Sequence, residues 1–149
     1  MMPSAHAPSS FPQTIAVLPM KNASDYPAES ATVRNLLEFH LMDSGYEVPD
    51  LEVTDLKLKS IGVTDGYQLN VVAPQKMGLL LGAPSALYGQ WLKAPAGQNY
   101  QADFWLVDTK TGAKLWEESI DKPAPNMERL VKQIIKSLNK AKKTTRRDQ

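Results

Sequence analysis

Apolar and polar positions alternate in blocks along the chain, and each block has its own period. Residues 14–20 (Thr-Ile-Ala-Val-Leu-Pro-Met) are almost continuously apolar. That pattern predicts a short strand covered on both faces. Pro19 belongs at its end, where no ladder donor is needed. Polar residues 21–25 read as a loop, and Pro27 suits the start of a helix. Over residues 28–44 the period lengthens. Val33, Leu36, Leu37 and Leu41 recur at helical spacing and predict one buried stripe. Gly45 supplies the stop, Tyr46 can fold back over the last turn, and residues 46–48 form a second short strand closed by Pro49.

The middle of the chain is less regular. Residues 53–60 read as a helix with Leu56 inward, and Thr64-Asp65-Gly66-Tyr67 as a turn. Residues 74–81 read as a helix with Pro74 at its start and Gly82 at its end, although Gly78 weakens it. Residues 85–92 are the next strand and 93–99 a hairpin loop. A second hairpin then runs from Tyr100 to about Ile120. Its strands flank Asp108-Thr-Lys-Thr-Gly112, where Gly112 can take the positive φ of a tight turn. The last block is the most regular. Met127, Leu130, Val131, Ile134, Ile135 and Leu138 trace an apolar stripe on an amphipathic helix, with Asn126 as N-cap after Pro123 and Pro125. The order predicts an α/β (α+β) fold: a mixed β-sheet with antiparallel hairpin strands and helices packed mainly on one face.

The chain has 149 residues, 42% of them apolar and 22% charged. This suits one domain, read here as residues 14–140 between a leader (1–13) and a basic tail (141–149). A net charge of +1 predicts no strong affinity for nucleic acid or anionic membranes. The cations are unevenly placed, however, with Arg129, Lys132, Lys136, Lys140, Lys142, Lys143, Arg146 and Arg147 crowding one end. The plain reading is a solvated helix face followed by a frayed basic tail, and the alternative an anion- or membrane-touching patch. Ala5-His6-Ala7 matches the small-x-small pattern of a signal-peptidase site without an apolar segment before it. It is either the remnant of an export signal or a chance match.

Candidate chemistry is sparse. Cysteine is absent, which excludes disulfides, thiolate catalysis and Cys-based metal sites. The histidines are His6, in the leader, and His40, on the first helix, too few for a transition-metal site. No glycine-rich phosphate loop, dinucleotide turn or Gly-x-Ser-x-Gly elbow occurs. Asp50, Glu52 and Asp55 cluster, as do Glu117, Glu118 and Asp121, without metal-ligand spacing. They read as solvated loop surface. No cofactor and no catalytic residue is expected. Trp91, Trp105 and Trp116 fall on strands. Such aromatics fill a core or an interface more often than they stack ligands. Phe104-Trp-Leu-Val107 is apolar on both faces, so if one face packs the helices the other meets a second layer, a partner or solvent. That makes Trp91, Trp105 and Trp116 the expected partner contact.

Three phrases carry a family resemblance. Residues 14–20, followed by a helix ending Asp43-Ser-Gly-Tyr-Glu-Val48, resemble the opening of a bacterial envelope superfamily. It includes the amino-terminal domain of TolB and the periplasmic domain of CsgG-type curli secretion lipoproteins. Leu81-Gly-Ala-Pro-Ser-Ala-Leu-Tyr-Gly89 and Leu106-Val-Asp-Thr-Lys-Thr-Gly-Ala-Lys-Leu-Trp116 resemble its later phrases. The chain is most similar to a related family of bacterial lipoproteins of unknown function, over roughly residues 14–138. The resemblance implies a periplasmic, non-enzymatic domain working by protein contact, often beside an outer-membrane assembly. Implied partners are other envelope proteins, a CsgG-like secretion component among them, or a second copy of the chain. Nucleic acid is not implied, and membrane contact would come only through a lipid anchor. Two departures stand out: such lipoproteins carry a lipidated Cys, and Pro84 stands where relatives have an acidic residue. The alternative is a small-ligand binder or enzyme, with its site in the loops after the first strand (residues 21–26) and in the 64–67 turn. Binding of nucleic acid through the basic tail ranks third.

Overall fold

The computed structural model describes residues 11–22, 27–92, 100–122 and 127–147. The expected loop 93–99, the N-cap Asn126, His6 and residues 23–26 lie outside them. The chain builds a mixed sheet from β1 (Ala16–Val17), β2 (Lys21–Asn22), β3 (Ser85–Leu92), β4 (Tyr100–Asp108) and β5 (Lys114–Lys122). β1 and β2 lie end to end, both parallel to β3. Pro19 sits in the break between them, where no ladder N–H is required. Residues 21–22, expected as loop, therefore resume the edge strand. β3, β4 and β5 follow as an antiparallel meander. The expected strand 46–48 is a single parallel bridge, Thr14 to Glu47, held by Ile15 N–H to Glu47 O and Glu47 N–H to Gln13 O, both 2.9 Å.

The β4–β5 turn forms as its residues predict. Asp108 Oδ1 accepts from the N–H groups of Lys110 (2.8 Å) and Thr111 (3.2 Å). Gly112 adopts φ +80° and donates to Asp108 O. Just beyond, Leu115 is the extra residue of a β-bulge.

Two long helices cover one face of the sheet: α1 (Pro27–Asp43) and α4 (Met127–Arg147). Their stripes Val33, Leu37 and Leu41, and Leu130, Val131, Ile134 and Leu138, meet Leu87, Trp91, Phe104, Leu106 and Ile120 in the main core. α1 ends at Gly45 with a returning Tyr46 N–H to Leu41 O bond. Tyr46 then donates its hydroxyl to Asn139 Oδ1 (3.0 Å), and Lys142 Nζ lies 4.9 Å from its ring centre. Burial pushes the Tyr46 phenol up to about 12. These contacts pin α4 near its end, and the basic segment expected to fray continues the helix to Arg147 instead.

Three shorter elements cover part of the other face: α2 (Leu51–Lys59), a 3-10 helix (Gly66–Val71) and α3 (Pro74–Leu81). Leu58, Leu69, Val72, Met77 and Leu81 pack on Ala16, Leu18 and Ala86. In α2 the inward residues are Thr54 and Leu58, four apart, whereas Leu56, expected inward, is 66% exposed. Leu56 sits about 200° around the helix from Leu58 and so points away from the sheet. Gly78, which weakened the α3 prediction, has a packing role. A Cβ there would lie 2.7 Å from Thr109 Cβ, and Thr109 in turn donates to Ala83 O at 2.7 Å.

Candidate docking groove on the open sheet face

Strand alternation sends Phe104 and Leu106 into the helix-covered core and Trp105 to the opposite face. Register places Trp105 directly across from Tyr88. The two rings stack with centres 5.7 Å apart and planes 6° from parallel. Lys114 Nζ stands 5.9 Å from the Trp105 ring centre while pairing with Glu117 at 3.2 Å. Burial raises the Tyr88 phenol above its ordinary value. Beside this stack the 3-10 helix and α3 stop short of covering the sheet and leave a groove of about 330 Å³. Leu69, Val72, Val107, Tyr88 and Trp105 supply apolar walls. Two lysines, Lys21 and Lys114, also line it, and no carboxylate does.

The 3-10 helix is held in place locally. Asp65 Oδ1 accepts from Tyr67 N–H (2.8 Å), and Gln68 Oε1 accepts from the N–H groups of Thr64 (2.6 Å) and Asp65 (3.2 Å). Gly66 lies so close to the backbone of Met20 and Lys21 that a Cβ would overlap it. This contact closes one end of the groove and brings the 64–67 turn against the start of β2. The two segments share a second, shallower groove of about 290 Å³ with Asn22, Arg34 and Tyr67. Arg34 is structurally engaged there: it donates to Val17 O at 2.9 Å and pairs with Asp55 at 2.8 Å. A third groove, about 440 Å³, lies between α3 and the Thr109–Lys110 turn. Leu79 on its wall is 87% exposed.

The three tryptophans do not share a surface. Trp91 (1% exposed) and Trp116 are buried in the main core. Their indole N–H groups donate to Glu29 Oε1 (3.2 Å) and Ser137 Oγ (3.0 Å). Trp105 alone of the three faces the groove. Three members of the acidic clusters are likewise engaged in structure. Asp50 caps α2 through Glu52 N–H and Val53 N–H, Asp55 holds Arg34, and Glu118 accepts from Ser137. His40 lies between α1 and α4, with Nε2 3.5 Å from Glu128 Oε2. None of the three grooves contains it. Among the described residues no group of three or more His, Cys, Asp or Glu side chains converges as a metal site. Tyr88, Leu69 and Val72 were not singled out by sequence reasoning. The signal for Tyr88 was available in its alternation with Leu87 and Gly89.

A family model described as "Putative lipoprotein GNA1162-like" matches residues 4–143. The chain belongs to the GNA1162-like family. Its fold agrees with the crystal structure of lipoprotein GNA1162 from Neisseria meningitidis at a TM-score of 0.69 and 24% identity, covering 86% of this chain and 97% of that one. The LpoB C-terminal domain from Salmonella enterica matches at 0.59 and 13% identity, over 77% of this chain and 85% of that one. TolB from Acinetobacter baumannii matches at 0.54 and 14% identity, over 89% of this chain but 28% of that one. At these identities the likeness is one of fold. No curated protein matches the sequence. Among the described residues no helix is long and apolar enough to cross a membrane.

Proposed function

We propose that this GNA1162-like domain is a non-enzymatic interaction module of the bacterial cell envelope, docking a protein partner in the groove beside Tyr88 and Trp105. Membership in a lipoprotein family supports the envelope location. The observation that carries the docking role is the stacked Tyr88–Trp105 pair, both rings only part-buried on a sheet face that helices cover in part. Aromatic side chains in partly desolvated hollows are the usual anchors of protein interfaces. The apolar walls favour a segment that brings one apolar anchor residue, and Lys21 in the lining suits an acidic neighbour to it, Lys114 being already paired with Glu117. A periplasmic assembly, secretion or transport complex would supply such a partner. A CsgG-like component is the one the sequence resemblance named.

The test is affinity capture from envelope extracts with the wild-type chain, with Trp105→Ala, and with Leu79→Ser in the groove beside α3 as control. Partner recovery should drop at least tenfold with Trp105→Ala and hold with Leu79→Ser. Equal recovery with a correctly folded Trp105→Ala chain would contradict the reading.

One observation favours a second reading, a small-ligand site. Met20 and Lys21, where β2 begins, lie against Gly66 of the 64–67 turn, and Asn22, Asp65 and Tyr67 line the hollow beside them. A ligand that raises the melting temperature of the wild type but not of Tyr67→Ala would establish it.

A further inference from the structure

The helix α4 separates charge in a way that the net charge conceals. It carries eight of the chain's 17 Lys and Arg residues and one of its 16 acids, Glu128. The helix is therefore +7, and the rest of the chain, with nine cations against 15 acids, is −6. The cations are also ordered. Arg129, Lys132, Lys136, Lys140 and Lys143 are all exposed. At 100° per residue they fall within an arc of about 80°, directly opposite the stripe Leu130, Ile134 and Leu138 that is buried in the core. They form a row about 21 Å long at 1.5 Å per residue. Glu128 lies outside that arc and faces His40 instead. None of the four lysines forms an ion pair among the described residues. The row is rigid, because the buried stripe and the Tyr46 contacts hold the helix.

We infer that the outer face of α4 rests against an anionic phospholipid surface. An evenly spaced row of cations along one helix face fits a plane of phosphates better than it fits a single small anion. Polybasic helical faces are attracted to such surfaces additively, within about a Debye length. The helix does not insert, since its apolar stripe is already used in the core. Membership in a lipoprotein family points to the occupant, because proteins of a lipoprotein family work beside a lipid surface. The inference stands independently of the groove and fits with it. α4 covers one face of the sheet and the groove opens on the other. A domain lying on α4 turns Trp105 away from the lipid.

Co-sedimentation of the full chain with vesicles tests this. Vesicles of phosphatidylcholine alone are compared with vesicles one-third phosphatidylglycerol, at low and high salt. The wild type should partition onto the anionic vesicles only, and release at high salt. The variant Lys132→Gln/Lys136→Gln/Lys140→Gln/Lys143→Gln should lose binding by more than roughly a hundredfold, from about fivefold per cation. The variant Lys57→Gln/Lys59→Gln/Lys76→Gln/Lys110→Gln changes net charge equally at exposed sites elsewhere and should bind as the wild type does. Equal loss in both variants would overturn the inference, because net charge alone would then be responsible. So would absence of anionic preference, equally tight binding to a DNA duplex, or salt-sensitive self-association that accounts for the sedimentation. Circular dichroism confirms that each variant is folded.

Discussion

Phe104, Trp105 and Leu106 are successive residues of one strand, yet only Trp105 leaves the main core. Trp91→Ala removes a fully buried indole and strands the Glu29 carboxylate that it contacts. It should cost about 3–5 kcal/mol of stability. Trp105→Ala should cost about 1–2 kcal/mol, because one side of its stack is open to the groove. Urea denaturation of the two variants measures the difference. Gly66→Ala forces a methyl group into the Met20–Lys21 backbone. It should destabilise by about 1–3 kcal/mol, as overpacked sites do, and should disturb the groove end closed by that contact. Tyr46 gives a pH signature. Its folded value of about 12 stands above that of an ordinary phenol because burial disfavours the phenolate. A raised folded value means that its contribution is complete below pH 10 and is lost as pH climbs towards 12. Stability curves of the wild type and Tyr46→Phe should therefore converge over that window, with the wild type falling faster.

At the scale of elements, what was legible in the sequence is what local chemistry decides. The β4–β5 hairpin is set by Asp108 and Gly112 within its own turn. α3 is bounded by its own Pro74 and Gly82, the latter at φ +65°. Elements fixed by distant partners were read less well. Lys21–Asn22 looks like loop because its strand character comes from parallel pairing with β3, some seventy residues away. The inward face of α2 depends on where β1 and α3 lie, so Leu56 and Leu58 were exchanged. Alternation alone separates Trp105 from Phe104, but finding Tyr88 as its neighbour requires the β3–β4 register, which sequence period does not give. Asp108→Ala removes two turn bonds and should cost about 1 kcal/mol. Thermal unfolding of that variant checks it.

For the molecule as a whole, the sheet divides the work. One face is sealed by α1 and α4, and α4 turns a row of cations outward. The other is only partly sealed and keeps an aromatic hollow. The likeness to GNA1162 extends over nearly the full length of that chain and is one of fold. The docking reading rests on the hollow itself. In-cell photo-cross-linking tests it most directly. A photo-reactive amino acid is placed at Asn70, an exposed residue lining the groove, and separately at Leu79 in the groove beside α3. The account predicts a discrete protein adduct from position 70 that disappears when Trp105→Ala is added, and none of that mass from position 79. An adduct from position 70 that persists unchanged in the Trp105→Ala chain, or no adduct there at all, would contradict it.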